Sequence, residues 1–488
     1  MVGFPFKEER REVPLGWLRE PAGGLAGVSF GGIVVGSTED DGLRPLERYE
    51  AVGRHPAQGS EQRRIPQEPI GWPAMMWRTR DPDTLPVVID VDPLQALLDD
   101  VHLLAPEQLS AVVSRRAHEL GAAEAIIYLT DYEQLLLQPI RGEGVPVRQE
   151  LRVDGTVGGR AFRRVEVQST RINPRVRRLW IPLVNGVQRV GVIEMLVADL
   201  TPELEGRLLA FSGLVAELLV VSDQYTDIFA QLRRRKTLSL AAEIQWDLLP
   251  PLTFATDRVV IAGALEPAYD IGGDTFDYAV NGPTADLMVL DAVGHGLPSA
   301  LLASAAVGAY RHARRNAWDL PDIAAAMNSV IADEFSDSRF ATAAIARLHL
   351  DTGQLRWVNA GHPAPLIVRN GALLDSGPCK PHPPLGLQVR KPDVCVTQLH
   401  PGDRVVLYTD GIVEARSPEG EFFGEDRLAD FIDRAAADGD PAPETLRRLM
   451  RRVLDHQADH LQDDASIVLL EWRTGNERQL ADLGPATA

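Results

Sequence analysis

At 488 residues, 45% of them hydrophobic, the chain is long enough for about three domains of the usual 100–200 residues, each with a sizeable core. A formal net charge of −19 argues against a nucleic-acid backbone as partner, because holding phosphates requires an excess of Lys and Arg. The two cysteines, Cys379 and Cys395, have no metal-ligand spacing and point to no disulfide framework, which fits a reducing compartment.

No apolar run is long enough for a membrane span: the best, 208–221, is short and contains Glu217. The N-terminus lacks the apolar centre of a signal peptide, so a cytoplasmic protein without a membrane partner is expected. Residues 1–92 are rich in Pro, Gly and Arg with little periodicity and read as a partly ordered leader. A strand is possible at 28–35, and Trp72 and Trp77 are candidates for packing on a neighbour.

Regular patterning begins at Pro93. Leu94, Leu97, Leu98 and Val101 recur at helical spacing, as do Leu109, Val112, Val113 and Ala117. Strand-like runs follow at 125–129, 135–137, 180–184 and 190–197, with Asn185-Gly186 as a hairpin turn between the last two. A helix over 202–221 closes a small α+β domain spanning 93–221. Its Gly155-Thr-Val-Gly-Gly-Arg-Ala-Phe162 stretch, with Leu179-Trp-Ile-Pro-Leu183 and Val190-Gly-Val-Ile193, resembles a GAF domain. That resemblance implies a sensor that binds a small molecule or dimerises. His102 and His118 fall on predicted helices and read as surface or packing residues rather than ligands.

Residues 222–249 continue helical, with Ile228, Leu232, Leu238, Ala241, Ile244 and Leu248 in an interrupted stripe. A stripe this narrow between two domains suggests a parallel coiled coil and hence a homodimer; an amphipathic helix lying on its own domain is the alternative. Pro250-Pro251 ends the helix, since proline lacks the amide hydrogen.

From 250 to 473 strands dominate. They are expected at 259–265, 286–291, 343–350, 355–359, 366–369, 394–399, 404–408 and 466–472, with helices at 299–315, 321–335, 425–437 and 443–456. So many strands with few large helices predict two sheets face to face with helices outside. A disordered tail is expected over 474–488.

Four acidic turns stand beside apolar runs: Gly272-Gly273-Asp274, Asp291-Ala-Val-Gly-His-Gly296, Thr409-Asp410-Gly411 and Asp463-Asp464. Carboxylates at strand ends suit hard divalent cations, and no His- or Cys-rich set points to zinc. Two such ions about 3.5–4 Å apart would activate water for in-line attack on phosphorus. No nucleophile elbow, Cys-x5-Arg loop or P-loop is present.

The motifs run in order: Glu243-Ile-Gln-x2-Leu-Leu-Pro250, Pro267-Ala-x2-Ile-Gly-Gly-Asp-x-Phe-Asp277, Asp291-Ala-Val-Gly-His-Gly296 and Asn359-Ala-Gly-His-Pro363. Next come Pro384-Leu-Gly-Leu387, Gly402-Asp-x4-Tyr-Thr-Asp-Gly-Ile412, Phe423-Gly424 and Asp463-Asp-Ala-Ser466. Residues 258–472 thereby resemble the SpoIIE/RsbU branch of the PPM (type 2C) serine/threonine phosphatases. The resemblance implies an αββα sandwich holding two Mn²⁺ or Mg²⁺ ions, so the chain is expected to be an α+β multidomain protein with a GAF-like domain in front. It also implies that Asp291 bridges both ions and that the Ala292 carbonyl binds one. Asp410 and Asp463 would complete the other shell, with Asp464 open as the substitute for Asp463, and Asp274 would bind directly or through water. His295 sits two residues beyond the position of the general acid proposed in eukaryotic relatives, which is Val293 here, so a packing or supporting role is expected. Asn359 and His362 are expected to shape a loop.

The function implied is dephosphorylation of a phosphorylated STAS-type anti-anti-sigma protein in partner switching, under control of the N-terminal sensor. The alternatives are a non-catalytic signalling scaffold and a small-molecule receptor.

Overall fold

A computed structural model describes residues 92–475 and 477, apart from 268, 270–271, 336–338, 375, 378 and 459–460. The expected leader through residue 91, with its strand at 28–35, Trp72 and Trp77, and the tail from 478 lie outside the described residues.

The first domain contains α1 (Pro93–Val101), α2 (Leu109–Glu119), β1 (Ala122–Thr130), β2 (Leu136–Pro139), β3 (Leu151–Arg152) and α3 (Val157–Arg164), then β4 (Gln168–Arg171), β5 (Val176–Asn185), β6 (Gln188–Ala198) and α4 (Pro202–Asp223). Its strands form one sheet in the order β3-β2-β1-β6-β5-β4, all antiparallel. The Asn185-Gly186 turn closes the β5–β6 hairpin as expected, with Asn185 opposite Gln188. Val112, Val113, Phe211 and Val215 of α2 and α4 pack on Ile127, Leu179 and Ile193 on one face. On the other face, Ala161 and Phe162 of α3 cover Tyr128, Trp180 and Val192. His118 and His102 are exposed, in line with a surface role.

The expected continuous helix over 222–249 is absent. Two short helices replace it, α5 (Ile228–Arg233) and α6 (Leu240–Leu248), with non-helical residues between. Ser239 starts α6 as a cap, its hydroxyl accepting from the Ala242 amide at 3.1 Å. Most of the apolar stripe is divided within the chain: Leu232 packs on the first domain's core, while Leu238 joins the second domain's inter-sheet core and Leu248 packs beside two helices of that same domain. The coiled coil therefore loses its continuous seam in this segment.

The second domain adds β7 (Thr253–Ala255), β8 (Val259–Glu266), β9 (Thr275–Asn281), β10 (Thr284–Ala292), α7 (Leu297–Arg315), α8 (Leu320–Glu334), β11 (Ala341–His349) and β12 (Gln354–Ala360). It continues with β13 (Leu366–Arg369), β14 (Ala372–Leu374), β15 (Cys395–Gln398), β16 (Arg404–Tyr408), α9 (Asp410–Val413), α10 (Glu425–Ala437), α11 (Ala442–His456) and β17 (Ala465–Trp472). One antiparallel sheet runs β15-β12-β11-β10-β9 and the other β14-β13-β16-β17-β8-β7. Alternation along each strand sorts the layers. Ala285, Leu287 and Val289 of β10 meet Val405, Leu407, Val468 and Leu470 of the opposite sheet. Met288, Leu290 and Ala292 face α7 and α8, while Val406, Tyr408, Ile467 and Leu469 face α10 and α11. This is the four-layer αββα order expected for the domain.

Two features were not foreseen. Cys379 and Cys395 are joined, with their Cα atoms 5.6 Å apart, because the chain after β14 folds back to place Cys379 beside edge strand β15. The two domains also share buried charge. Arg189 of β6 donates to Glu444 of α11 at 3.2 Å, and Arg447 donates to the same carboxylate at 2.8 and 2.9 Å and to Asp154 at 2.8 Å. The Arg189, Glu444 and Arg447 side chains are only 2–3% exposed.

Candidate metal centre

Alternation carries the inward-facing rows of four strands past their ends, and at one end of the sandwich they turn polar. Phe276 and Tyr278 of β9 point into the inter-sheet core, and Asp274 lies in step with them. The β10 row 285-287-289 continues to Asp291, the β16 row 405-407 to Thr409, and the β17 row 472-470-468 back to Ser466 and Asp464. Leu290 pairs with Thr275 and Tyr408 with Ile467, so each sheet sets two of these rows side by side. A hydrogen bond from the Thr409 hydroxyl to Asp274 Oδ2, 2.5 Å long, closes the gap between the sheets.

The expected residues fall as follows. Asp274 is buried, at 2% exposure, and Ala292 is fully buried at the end of β10. Asp291 is half-buried on β10, and Asp410 is half-buried as the first residue of α9. Asp463 is exposed in the loop before β17. Asp464 plays a different part, because its Oδ2 accepts from the Gly272 and Gly273 amides at 2.6 and 2.9 Å and so stitches that turn to the β17 loop. Asp463 in turn accepts from the Asp464 amide through Oδ1 at 3.0 Å, so each of the two keeps one carboxylate oxygen clear of these backbone bonds. His295 is exposed, so the packing role expected of it is not found. His362 and Asn359 shape their loop as expected. The Asn359 side chain donates to the His362 carbonyl at 2.7 Å and accepts from the His362 amide at 2.9 Å.

The glycines in these turns are required by close approach. A Cβ on Gly273 would stand 2.3 Å from the Ala292 carbonyl oxygen, and one on Gly411 would stand 1.9 Å from the Asp464 carbonyl oxygen.

Negative charge crowds here. Burial and the facing Asp291 carboxylate hold Asp274 well above the usual carboxylate range. Burial, then Asp410, Asp463 and Asp464, push Asp291 up to about 7. Asp464 rises to about 6 through burial, although the Gly272 and Gly273 amides counter it. Asp410 is raised by burial and by Asp463. No lysine or arginine among the described residues stands among the principal influences on any of the four.

Among the described residues no three His, Cys, Asp or Glu side chains converge at cation-binding spacing. The acids feel one another's charge without closing on a point. Their chemistry nevertheless fits hard divalent cations: all the donors are oxygens, the repulsion is unneutralised, and the buried Ser466 hydroxyl beside them has no partner among the described residues.

Residues 282–473, from the turn before β10 to the end of β17, match the family model described as Stage II sporulation protein E (SpoIIE). By that match the segment is SpoIIE-like. Several curated relatives align with part of the chain. Protein IcfG of Synechocystis sp. is 28% identical over 148 residues, which is 30% of this chain and 23% of that protein. Phosphoserine phosphatase RsbU of Bacillus subtilis is 22% identical over 246 residues, 48% of this chain and 70% of that protein. The chain thus spans under a quarter of IcfG's length and more than two thirds of RsbU's. Among solved structures, the SiaA-PP2C domain of Pseudomonas aeruginosa matches 48% of this chain and 94% of that one at 22% identity, with a TM-score of 0.40. Among the described residues no helix is long and apolar enough to cross a membrane.

Two residues of the SpoIIE-type domain escaped the sequence reading. Thr409 stood inside a quoted motif without a role, and Asp464 stood only as a substitute ligand. The signal was available in the alternation of β16 and β17, which makes both positions inward-facing.

Proposed function

We propose that the chain is a Mn²⁺- or Mg²⁺-dependent protein phosphatase acting on phosphoserine or phosphothreonine, with a phosphorylated STAS-type anti-anti-sigma protein as substrate. The observation that carries this reading is the gathering of inward-facing acids from both sheets at one end of the sandwich, with no lysine or arginine among the principal influences on Asp274 or Asp291. Asp274, Asp291, Asp410, Asp463 and the Ala292 carbonyl would hold the ions. When bound, the ions supply charge for the phosphoryl oxygens and an activated water. The chain's own part is to keep the donors on strand ends, where the two sheets fix their spacing, and to shut water out beneath through the apolar inter-sheet core. The name and alignment of RsbU support phosphoserine chemistry. The STAS substrate follows from the family resemblance. The first domain, a six-stranded sheet with helices on both faces, would be the GAF-like sensor.

The test is phosphate release from a phosphoserine-bearing STAS protein with and without Mn²⁺. Release should require the metal and fall at least a hundredfold in Asp410→Asn. Equal release by wild type and variant would remove the reading, and a folded wild type that is inactive with every phosphoprotein would favour the scaffold.

A further inference from the structure

Thr409 is fully buried at the seam between the sheets. Its single hydroxyl proton has two acceptors in reach, Asp274 Oδ2 at 2.5 Å and the Ser466 carbonyl at 3.5 Å, and the shorter contact takes it. The hydroxyl oxygen also accepts from the Ser466 amide at 2.8 Å, while the Thr409 amide donates to the Ser466 carbonyl at 2.9 Å. One residue is thereby pinned to β17 through both its side chain and its backbone, and reaches across to the turn before β9. Asp274 has no basic partner among the described residues, and Thr409 is its short side-chain donor.

We propose that Thr409 is the positioning residue of the metal centre: it engages one oxygen of Asp274, presents the other to the cation, and registers the two sheets against each other at the site. This rests on the metal-binding reading above. A hydroxyl that donates to a ligand carboxylate fixes its rotamer and favours its ionised form, and losing such a partner typically weakens metal binding about 10–100-fold.

Mn²⁺ binding to the full chain, measured by isothermal titration calorimetry, tests the proposal in wild type, Thr409→Val and Thr409→Ser. Valine keeps the shape and removes the donor, and serine restores the donor. The expected result is Thr409→Val binding about 10–100-fold more weakly, with Thr409→Ser within about threefold of wild type. Turnover of Thr409→Val should be lost at low Mn²⁺ and recovered at saturating Mn²⁺, with KM for the phosphoprotein unchanged. If the valine variant does not fold, Thr409→Cys carries the test, since a thiol donates weakly, and it should bind more weakly than serine. Thr409→Val binding as tightly as wild type, or serine binding as weakly as valine, overturns the proposal. Wild type that takes up no Mn²⁺ removes the metal reading itself.

Discussion

His362 shows how a single side chain beside the site sets a pH limit. It is buried, its Nδ1 lies 2.7 Å from the Thr342 hydroxyl and its Nε2 lies 3.0 Å from the Tyr408 carbonyl. A carbonyl can only accept, so Nε2 carries the proton and Nδ1 accepts from Thr342, which makes the ring neutral. Burial lowers its pKa from 6.5 to about 4. Below 6.5 the unfolded chain binds a proton that the folded chain refuses until about pH 4, so stability falls across that window. A shift of this size amounts to roughly 3 kcal/mol. Urea unfolding of wild type and His362→Gln at pH 7 and pH 4 should show the pH-dependent loss reduced by about that amount in the variant. An unchanged loss would locate the acid sensitivity elsewhere. At this scale the sequence was informative about which acids stand at strand ends, because those aspartates follow directly on apolar runs. It was silent on what holds them, because Thr409 and Asp464 act through contacts between segments far apart in the chain.

Strands and helices of the second domain were largely legible, since their apolar residues alternate or recur at spacings that only one geometry buries. β10 shows why: 285-287-289 and 288-290-292 are both apolar, the mark of a strand covered on both faces. The linker was misread because its stripe is real but divided between two cores, and the break depends on a cap at Ser239 that is weak evidence by itself. Where the sheets meet, Gly263 of β8 lies under the Phe276 ring of β9, and an added Cβ would stand 2.3 Å from that ring. Gly263→Ala should therefore lower stability by about 1–3 kcal/mol through overpacking, read as a fall in Tm. Combining it with Phe276→Leu should recover part of the loss, and a Tm equal to wild type for the single variant would refute the close contact.

On the scale of the molecule, the two domains are joined by charges that neither segment revealed alone. Burial lowers the Arg189 pKa to about 10 despite Glu444, so this guanidinium depends on its partner to stay charged comfortably. Burial also opposes the charge of Arg447, but Glu444 and Asp154 outweigh it. Removing Glu444 would leave Arg189 buried without its carboxylate and Arg447 with Asp154 alone, and Glu444→Ala should cost about 3–5 kcal/mol, seen as a lower Tm and faster hydrogen exchange in β5, β6 and α11. Arg189→Met with Glu444→Leu and Arg447→Leu, which empties the cluster of charge while filling its volume, should restore most of it. The helix that receives Arg189 is a rod about 22 Å long at 1.5 Å per residue, and its far end at His456 feeds the loop that bears Asp463. Were this rod to turn rigidly with the first domain, a tilt of a few degrees would carry its far end sideways by about an ångström, from its length alone. Oxygen donors tolerate little more than that.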